Sequence, residues 1–292
     1  MVKLINLDNS VLNALRFFTK AKLPSLPASQ FTRPLVVGSG NAAVTGKILF
    51  QDADAVFADE STYLQKLKTV PDIDGAVLIS ASGGKHAPII AREVHKRKLN
   101  VILMTNNPAS PASQYATKTS VFPKLPEPYT YNTSTYLGLI LAKTKEDPKA
   151  ILQHLEKLPL PQHLVRYDAF FLLVPERFEL IRELFLTKFD ELFGPVVSGR
   201  VFTPEQAKHA KTIVPSPKEL FISFGWKNTV FGKNRIHVPL PMTANYGTLM
   251  AVGYYIIGQI QQQHPPYFKR NIERYVQEAS KLFGEKIKVV VE

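Results

Sequence analysis

The turn Ser80-Ala81-Ser82-Gly83-Gly84-Lys85 places two hydroxyls, two glycines and a lysine after an apolar run, GAVLI at 75–79. It precedes a segment whose apolar residues Ile89, Ile90 and Val94 recur at helical spacing. Backbone N–H groups that open a helix have no partner within it, and the helix dipole favours negative charge at that end. These residue types describe an anion site, with phosphate first among the anions; the plainer alternative is that Ser80 or Ser82 caps the helix. A second set spans 186–225: Lys188 and Glu191 stand three apart on one helical face, followed by Glu205 and His209. Taken singly, these read as a surface ion pair and a solvated histidine. A third set, Gly38-Ser39-Gly40-Asn41-Ala42-Ala43 with Asp59 ending the next strand, fits G-x-G-x-x-A and a ribose-binding acid, the dinucleotide pattern. Its alternative is a tight strand-to-helix turn without a ligand.

The elements that must position these residues alternate regularly. Apolar runs at 35–38, 55–59, 75–80, 100–105 and 119–123 read as strands, with helical segments at 41–51, 61–70, 86–98 and about 132–144 between or after them. That is a parallel α/β sheet covered by helices on both faces. A second, less regular alternation follows. It has strands at 169–175, 218–224 and 234–241, a long helix 176–194 ended by Gly194, and helices 244–263 and 266–284 before the terminal KIKVVVE. An N-terminal helix is expected with a cap near Asp8 or Asn9 and Val11, Leu12, Leu15 and Phe18 on one face. A proline-bearing linker, 22–34, follows it. The expected division is 1–33 for helix and linker, 34–155 for the first α/β domain and 156–292 for the second.

Composition narrows the chemistry. The 292-residue chain has no cysteine, which excludes disulfides, thiol catalysis and zinc–thiolate sites. Its seven histidines form no H-E-x-x-H or similar pair, so a metal enzyme is not expected. The net charge of +12 suits an anionic ligand or a solvated lysine-rich surface. Basic residues are dispersed, without an arginine-rich arm or a nucleic-acid motif, and nucleic acid is not an expected partner. The apolar runs fall short of a membrane span and the N-terminus lacks the order of a secretory signal, so the expected location is the cytoplasm.

The pair of turns, GSGNA after the first strand and SASGGK after the third, resembles the phosphate-holding loops of the sugar isomerase (SIS) domain, a flavodoxin-like phosphosugar-binding module. TNNPASPAS at 105–113 and EPYTYNTSTYLGLIL at 127–141 extend the similarity over about 34–145. The resemblance implies two three-layer αβα domains with parallel sheets, and phosphate contacts from Ser39, Ser80, Ser82, Lys85 and Ser134. Segment 186–225 and the C-terminal tail resemble the second SIS domain of archaeal phosphoglucose/phosphomannose isomerases and of the isomerase half of glucosamine-6-phosphate synthase. The shared elements are a K-x-x-E helix, an E-x-K-H-like segment and a lysine near the C-terminus.

That resemblance implies an aldose–ketose isomerase that needs no metal or organic cofactor. His209 would protonate the ring oxygen, Glu191 would be the C2 base, and Lys288 or Lys188 would offset enediolate charge, with Glu205 and Lys286 the respective fallbacks for the base and the tail lysine. It also implies a homodimer in which the histidine can come from the neighbouring subunit. An amino-sugar-phosphate deaminase or isomerase, and a phosphosugar-binding sensor without catalysis, are the alternatives.

Overall fold

The computed structural model describes residues 4–23, 26, 30–159 and 161–291. Part of the expected linker, Pro24, Ser25 and 27–29, lies outside the described residues. The chain divides into two compact units: 22–125 with 134–145, and 1–21 with 126–133 and 146–292. These boundaries differ from the expected ones because the N-terminal helix, α1 (Leu7–Phe18), packs within the second of these units.

In the first unit the expected alternation forms a five-stranded parallel sheet. The strands β1 (Pro34–Val37), β2 (Val56–Ala58), β3 (Gly75–Ile79), β4 (Asn100–Thr105) and β5 (Lys118–Val121) take the order β2-β1-β3-β4-β5. This is the flavodoxin-like order. Side chains alternate across each strand, and the two faces take different helices. Leu35, Val37, Leu78 and Leu103 pack with Tyr63 of α3 (Tyr63–Thr69) and with Ile90 and Val94 of α4 (Ala87–Lys96). Val36 and Ile79 face α2 (Asn41–Leu49), where Gly46 lets helix and sheet approach. The last helix here is α5 (Thr133–Thr144).

The second unit holds β6 (Glu127–Pro128), α6 (Pro148–Glu156), β7 (Ala169–Leu173), α7 (Arg182–Phe193), β8 (Ser198–Phe202), α8 (Pro204–Lys208), β9 (Glu219–Phe224), β10 (Asn234–Val238), α9 (Tyr246–Gln263), α10 (Tyr267–Phe283) and β11 (Val290–Val291). Its main sheet is parallel in the order β10-β9-β7-β8. Two elements have weak sequence signals. β8, SGRVF, is an edge strand with one buried residue. α6 is opened by Asp147, whose side chain accepts from the Lys149 N–H at 2.9 Å. The expected helix 176–194 is broken: residues Glu176–Ile181 form a 3-10 turn with Phe178 outside helical geometry, and α7 begins only at Arg182. Tertiary packing explains the break, since the Phe178 ring meets Tyr246 edge-on at 5.2 Å. Among the described residues no helix is long and apolar enough to cross a membrane.

α1 also departs from expectation. Its N-cap is Asn6, and Asp8 sits in the first turn, buried, accepting from Gln259 Nε2 at 2.8 Å. Burial pushes the Asp8 carboxyl up from its ordinary range. The contact depends on Gly258 of α9, because a Cβ there would lie 2.0 Å from the Asp8 backbone nitrogen. Gly258→Ala would ordinarily stabilise a helix interior, by roughly 0.5–1 kcal/mol. Here it is expected to destabilise by about 2 kcal/mol through overpacking, read as a lower urea midpoint with an unchanged slope.

Candidate active site

The turn after β3 is built to present hydroxyls. Ser80 Oγ accepts from the Gly83 N–H and Ser82 Oγ from the Gly84 N–H, each at 3.2 Å. Neither serine caps α4, whose N-cap is His86. With a lone pair occupied in this way, each hydroxyl can direct its proton outward. Gly83 has φ +61° and Lys85 φ +53°, so the chain reverses through the left-handed region. The loop after β4 braces the turn. Thr105 Oγ1 donates to the Ala81 carbonyl at 2.9 Å, Asn107 Nδ2 to the Ser82 carbonyl at 2.9 Å, and Ser110 Oγ to the Gly83 carbonyl at 3.0 Å. These supporting roles lay within TNNPASPAS, but no spacing rule singles them out.

The other expected phosphate contacts are more constrained. Ser39 donates to Glu60 Oε2 at 2.5 Å, placing a carboxylate beside the first loop. Ser134 is buried and accepts from the Leu125 N–H at 3.0 Å. Asp59, the ribose-binding acid of the dinucleotide pattern, instead accepts through Oδ1 from the N–H and hydroxyl groups of Ser61 and Thr62. Those bonds hold its carboxyl down at about 2 and lock the start of α3, which leaves the dinucleotide reading without its acid.

In the second unit Lys188 and Glu191 are not a surface pair. Lys188 is 0% exposed; its ammonium donates to Glu191 Oε2 at 2.5 Å and to the Thr130 carbonyl at 2.9 Å. Two rings flank it, Tyr131 at 5.9 Å and Tyr254 at 5.7 Å from their centroids. The Glu191 side chain is 21% exposed. Burial raises its pKa above the ordinary carboxylate range, and Lys188 opposes that rise.

The Thr130 carbonyl is aimed by an unusual backbone. Thr130 has φ +84° and Asn132 φ +45°, two non-glycine residues in the left-handed region on either side of Tyr131. Glu127 secures this segment by accepting from Ser10 Oγ at 3.1 Å and from the Thr133 N–H at 2.7 Å. Tyr131 Oη accepts from Gln261 Nε2 at 3.0 Å, and Gln261 Oε1 takes the Leu7 N–H at 2.9 Å. Thr130, Tyr131, Tyr254 and Gln261 were not among the sequence candidates, since their partners lie far away in the chain.

The remaining expected residues are exposed. Lys288 lies just before β11, which pairs antiparallel with β6, and the Val289 carbonyl accepts from the Tyr129 N–H at 2.7 Å. The tail lysine is thus carried on backbone bonded next to Thr130. Lys286 is exposed two residues earlier. His209 is the exposed C-cap of the five-residue α8, and Glu205 in that helix pairs with Lys208 at 2.5 Å.

No protein-family model matches the sequence, and no curated protein matches it. Solved structures do. Glucosamine-6-phosphate deaminase from Thermotoga maritima is similar at TM-score 0.66 and 15% identity, over 89% of this chain and 95% of that one. Tagatose-6-phosphate ketose/aldose isomerase from Escherichia coli is similar at TM-score 0.57 and 10% identity, over 89% of each chain. The C-terminal domain of glucosamine-fructose-6-phosphate aminotransferase from Francisella tularensis is similar at TM-score 0.57 and 11% identity, over 87% and 92%. The chain has the SIS-type fold. Within that fold, the SASGGK turn lies at the carboxyl end of the central strand β3, where open α/β sheets place their ligands.

Removing Lys188 should expose the cost of burying Glu191. Lys188→Met is expected to lose about 3 kcal/mol at neutral pH by urea unfolding, because the carboxylate keeps its burial and loses its counter-charge. The raised carboxyl pKa means the folded state gains by binding a proton, so the loss should shrink as pH falls through it. Lys188→Met with Glu191→Leu should recover most of the stability.

Proposed function

We propose that the chain is a phosphosugar aldose–ketose isomerase acting through an enediolate. The observation that carries this reading is the half-buried Glu191 carboxylate, raised by burial and held in one orientation by the fully buried Lys188. A base that removes a proton next to a carbonyl needs a pKa nearer the working pH than an ordinary carboxylate has, and a fixed direction. The fold shared with phosphosugar enzymes and the braced hydroxyl turn support the substrate class.

The steps follow from the residue types. The SASGGK turn binds the phosphate through Ser80, Ser82 and Lys85 and so fixes the reacting carbons; Ser39, bonded to Glu60, and the buried Ser134 are left out of this step. His209 protonates the ring oxygen as the ring opens, acting on the site of a second copy in a homodimer. Glu191 removes the C2 proton as charge moves onto the C1 carbonyl oxygen; the proton of the C2 hydroxyl passes to that oxygen, and the same carboxyl returns its proton to C1 as the C2 carbonyl forms. Lys288 offsets the charge on the enediolate oxygen. Lys188, enclosed by Glu191, Thr130 and two tyrosines, positions the base and does not touch the sugar. The similarity to a glucosamine-6-phosphate deaminase favours one second reading, an amino-sugar phosphate as substrate with the same proton abstraction.

Incubation in D2O with fructose 6-phosphate, and separately with glucosamine 6-phosphate, should give enzyme-dependent deuterium at C1 or C2 by NMR. Ammonia release with the second sugar would mark the deaminase reading, and binding of either sugar without exchange would overturn catalysis. Glu191→Gln should keep sugar binding and lose exchange by 10²-fold or more, in the range of about 10²–10⁴ set by general-base catalysis. Since the base must be ionised, kcat/KM should fall as pH drops through a value above the ordinary glutamate pKa of about 4.3.

A further inference from the structure

The second unit has its own crevice at the carboxyl ends of its parallel strands. Chain segments leaving β7, β8, β9 and β10 form a cavity of about 490 Å³ whose lining includes Pro175, Glu176, Arg177, Pro204, Trp226 and Leu240, with Met242. β7 stands between β8 and β9 in the sheet, so successive connections leave it in opposite directions, and such a switch point is where open α/β sheets place ligands. The volume is that of a small-molecule site. The first unit arms its equivalent turns with serines, threonine and asparagines, whereas these turns read VPER, TPE, GWK and LPM. Hydroxyl donors are replaced by apolar walls.

We infer that this crevice is a second ligand site, distinct from the phosphosugar turn, for a small anion built on a flat aromatic or heteroaromatic ring. Trp226, two prolines, Leu240 and the Met242 thioether offer faces against which a planar ring packs. Trp226 packs against the core cluster of Phe171, Phe221 and Phe231, and its buried indole N–H has no hydrogen-bond partner among the described residues. Arg177 supplies the charge. Its guanidinium carbon sits over the Phe178 ring, 4.6 Å from the centroid, one guanidinium nitrogen donates to the Ala244 carbonyl at 3.4 Å, and among the described residues it forms no ion pair. A guanidinium without an ion pair beside an apolar cavity recognises a carboxylate or phosphate. The walls are firm: Asn228 Oδ1 accepts from the Val230 and Phe231 N–H groups, and Gly225 bonds to the Val238 carbonyl at 2.8 Å, holding the Trp226 turn between two strands.

Trp226 is the single tryptophan of the chain, so its fluorescence reports this cavity alone. The probes are AMP for a nucleotide source and benzoate for an aromatic acid, with ribose 5-phosphate as an anion lacking the ring. A saturable change with AMP or benzoate, at least tenfold tighter than with ribose 5-phosphate, is expected; no saturable change with either ringed probe overturns the inference, as does an equal response to ribose 5-phosphate. Arg177→Gln should weaken the response about tenfold or more, as loss of a hydrogen bond to a charged group does. Met242 is 97% exposed, so Met242→Glu keeps the fold while placing a carboxylate at the rim, and it should weaken binding similarly. The doubly substituted Ser82→Ala/Lys85→Ala protein should retain the full response. A response abolished there, or one that survives both Arg177→Gln and Met242→Glu, would overturn the site.

Discussion

A lysine with no exposed surface is costly, and the second unit is arranged around meeting that cost. Transferring an ammonium out of water carries a penalty of several kcal/mol, which a single counter-charge does not reliably offset. Lys188 has a carboxylate, a backbone carbonyl and two aromatic faces. Each of those partners imposes a further requirement. The carbonyl must be aimed by Thr130 in a left-handed conformation, the Tyr131 ring must be anchored through Gln261, and Gln261 must reach the first turn of α1. The chain of demands explains why α1 belongs to this unit and why α9 carries a glycine where it passes Asp8.

The same arrangement accounts for the character of Glu191. Burial raises the carboxyl pKa, Lys188 limits the rise, and the balance leaves a carboxyl group that is held in one direction and is a weaker acid than an ordinary glutamate. β6 bears on the region from two directions. It leads into Thr130, and it pairs with β11, whose preceding residues carry Lys288. A two-residue strand pair has little stability alone. Here it ties the tail to backbone that already holds the buried lysine.

The two sheets show one architecture carrying different edges. Both are parallel and both end in turns at a crevice, yet the first presents serine hydroxyls braced by Thr105, Asn107 and Ser110, and the second presents proline, tryptophan and methionine. Strand order follows from crossover connections and hydrophobic runs, whereas ligand chemistry resides in the few residues just past each strand.

The alternating elements are legible in the order of residues alone, because hydrophobic period and turn residues are local properties. The five strands of the first sheet, their helices and the hydroxyl turn at 80–85 are legible at that level, as is the pairing of Lys188 with Glu191 at helical spacing. Elements with weak local signals were not: β8 has one buried residue, and the break at Phe178 answers to Tyr246, far along the chain. Burial of the lysine–glutamate pair comes from folding, since exposure depends on what the rest of the chain lays over a helix face. Folding likewise decided that Asp59 locks a helix start, that Asp8 lies buried against α9, and that Thr130 and Tyr131 enclose Lys188. Residue type and spacing nominate a charged group, but its protonation and direction are set by partners that only folding brings within hydrogen-bond reach.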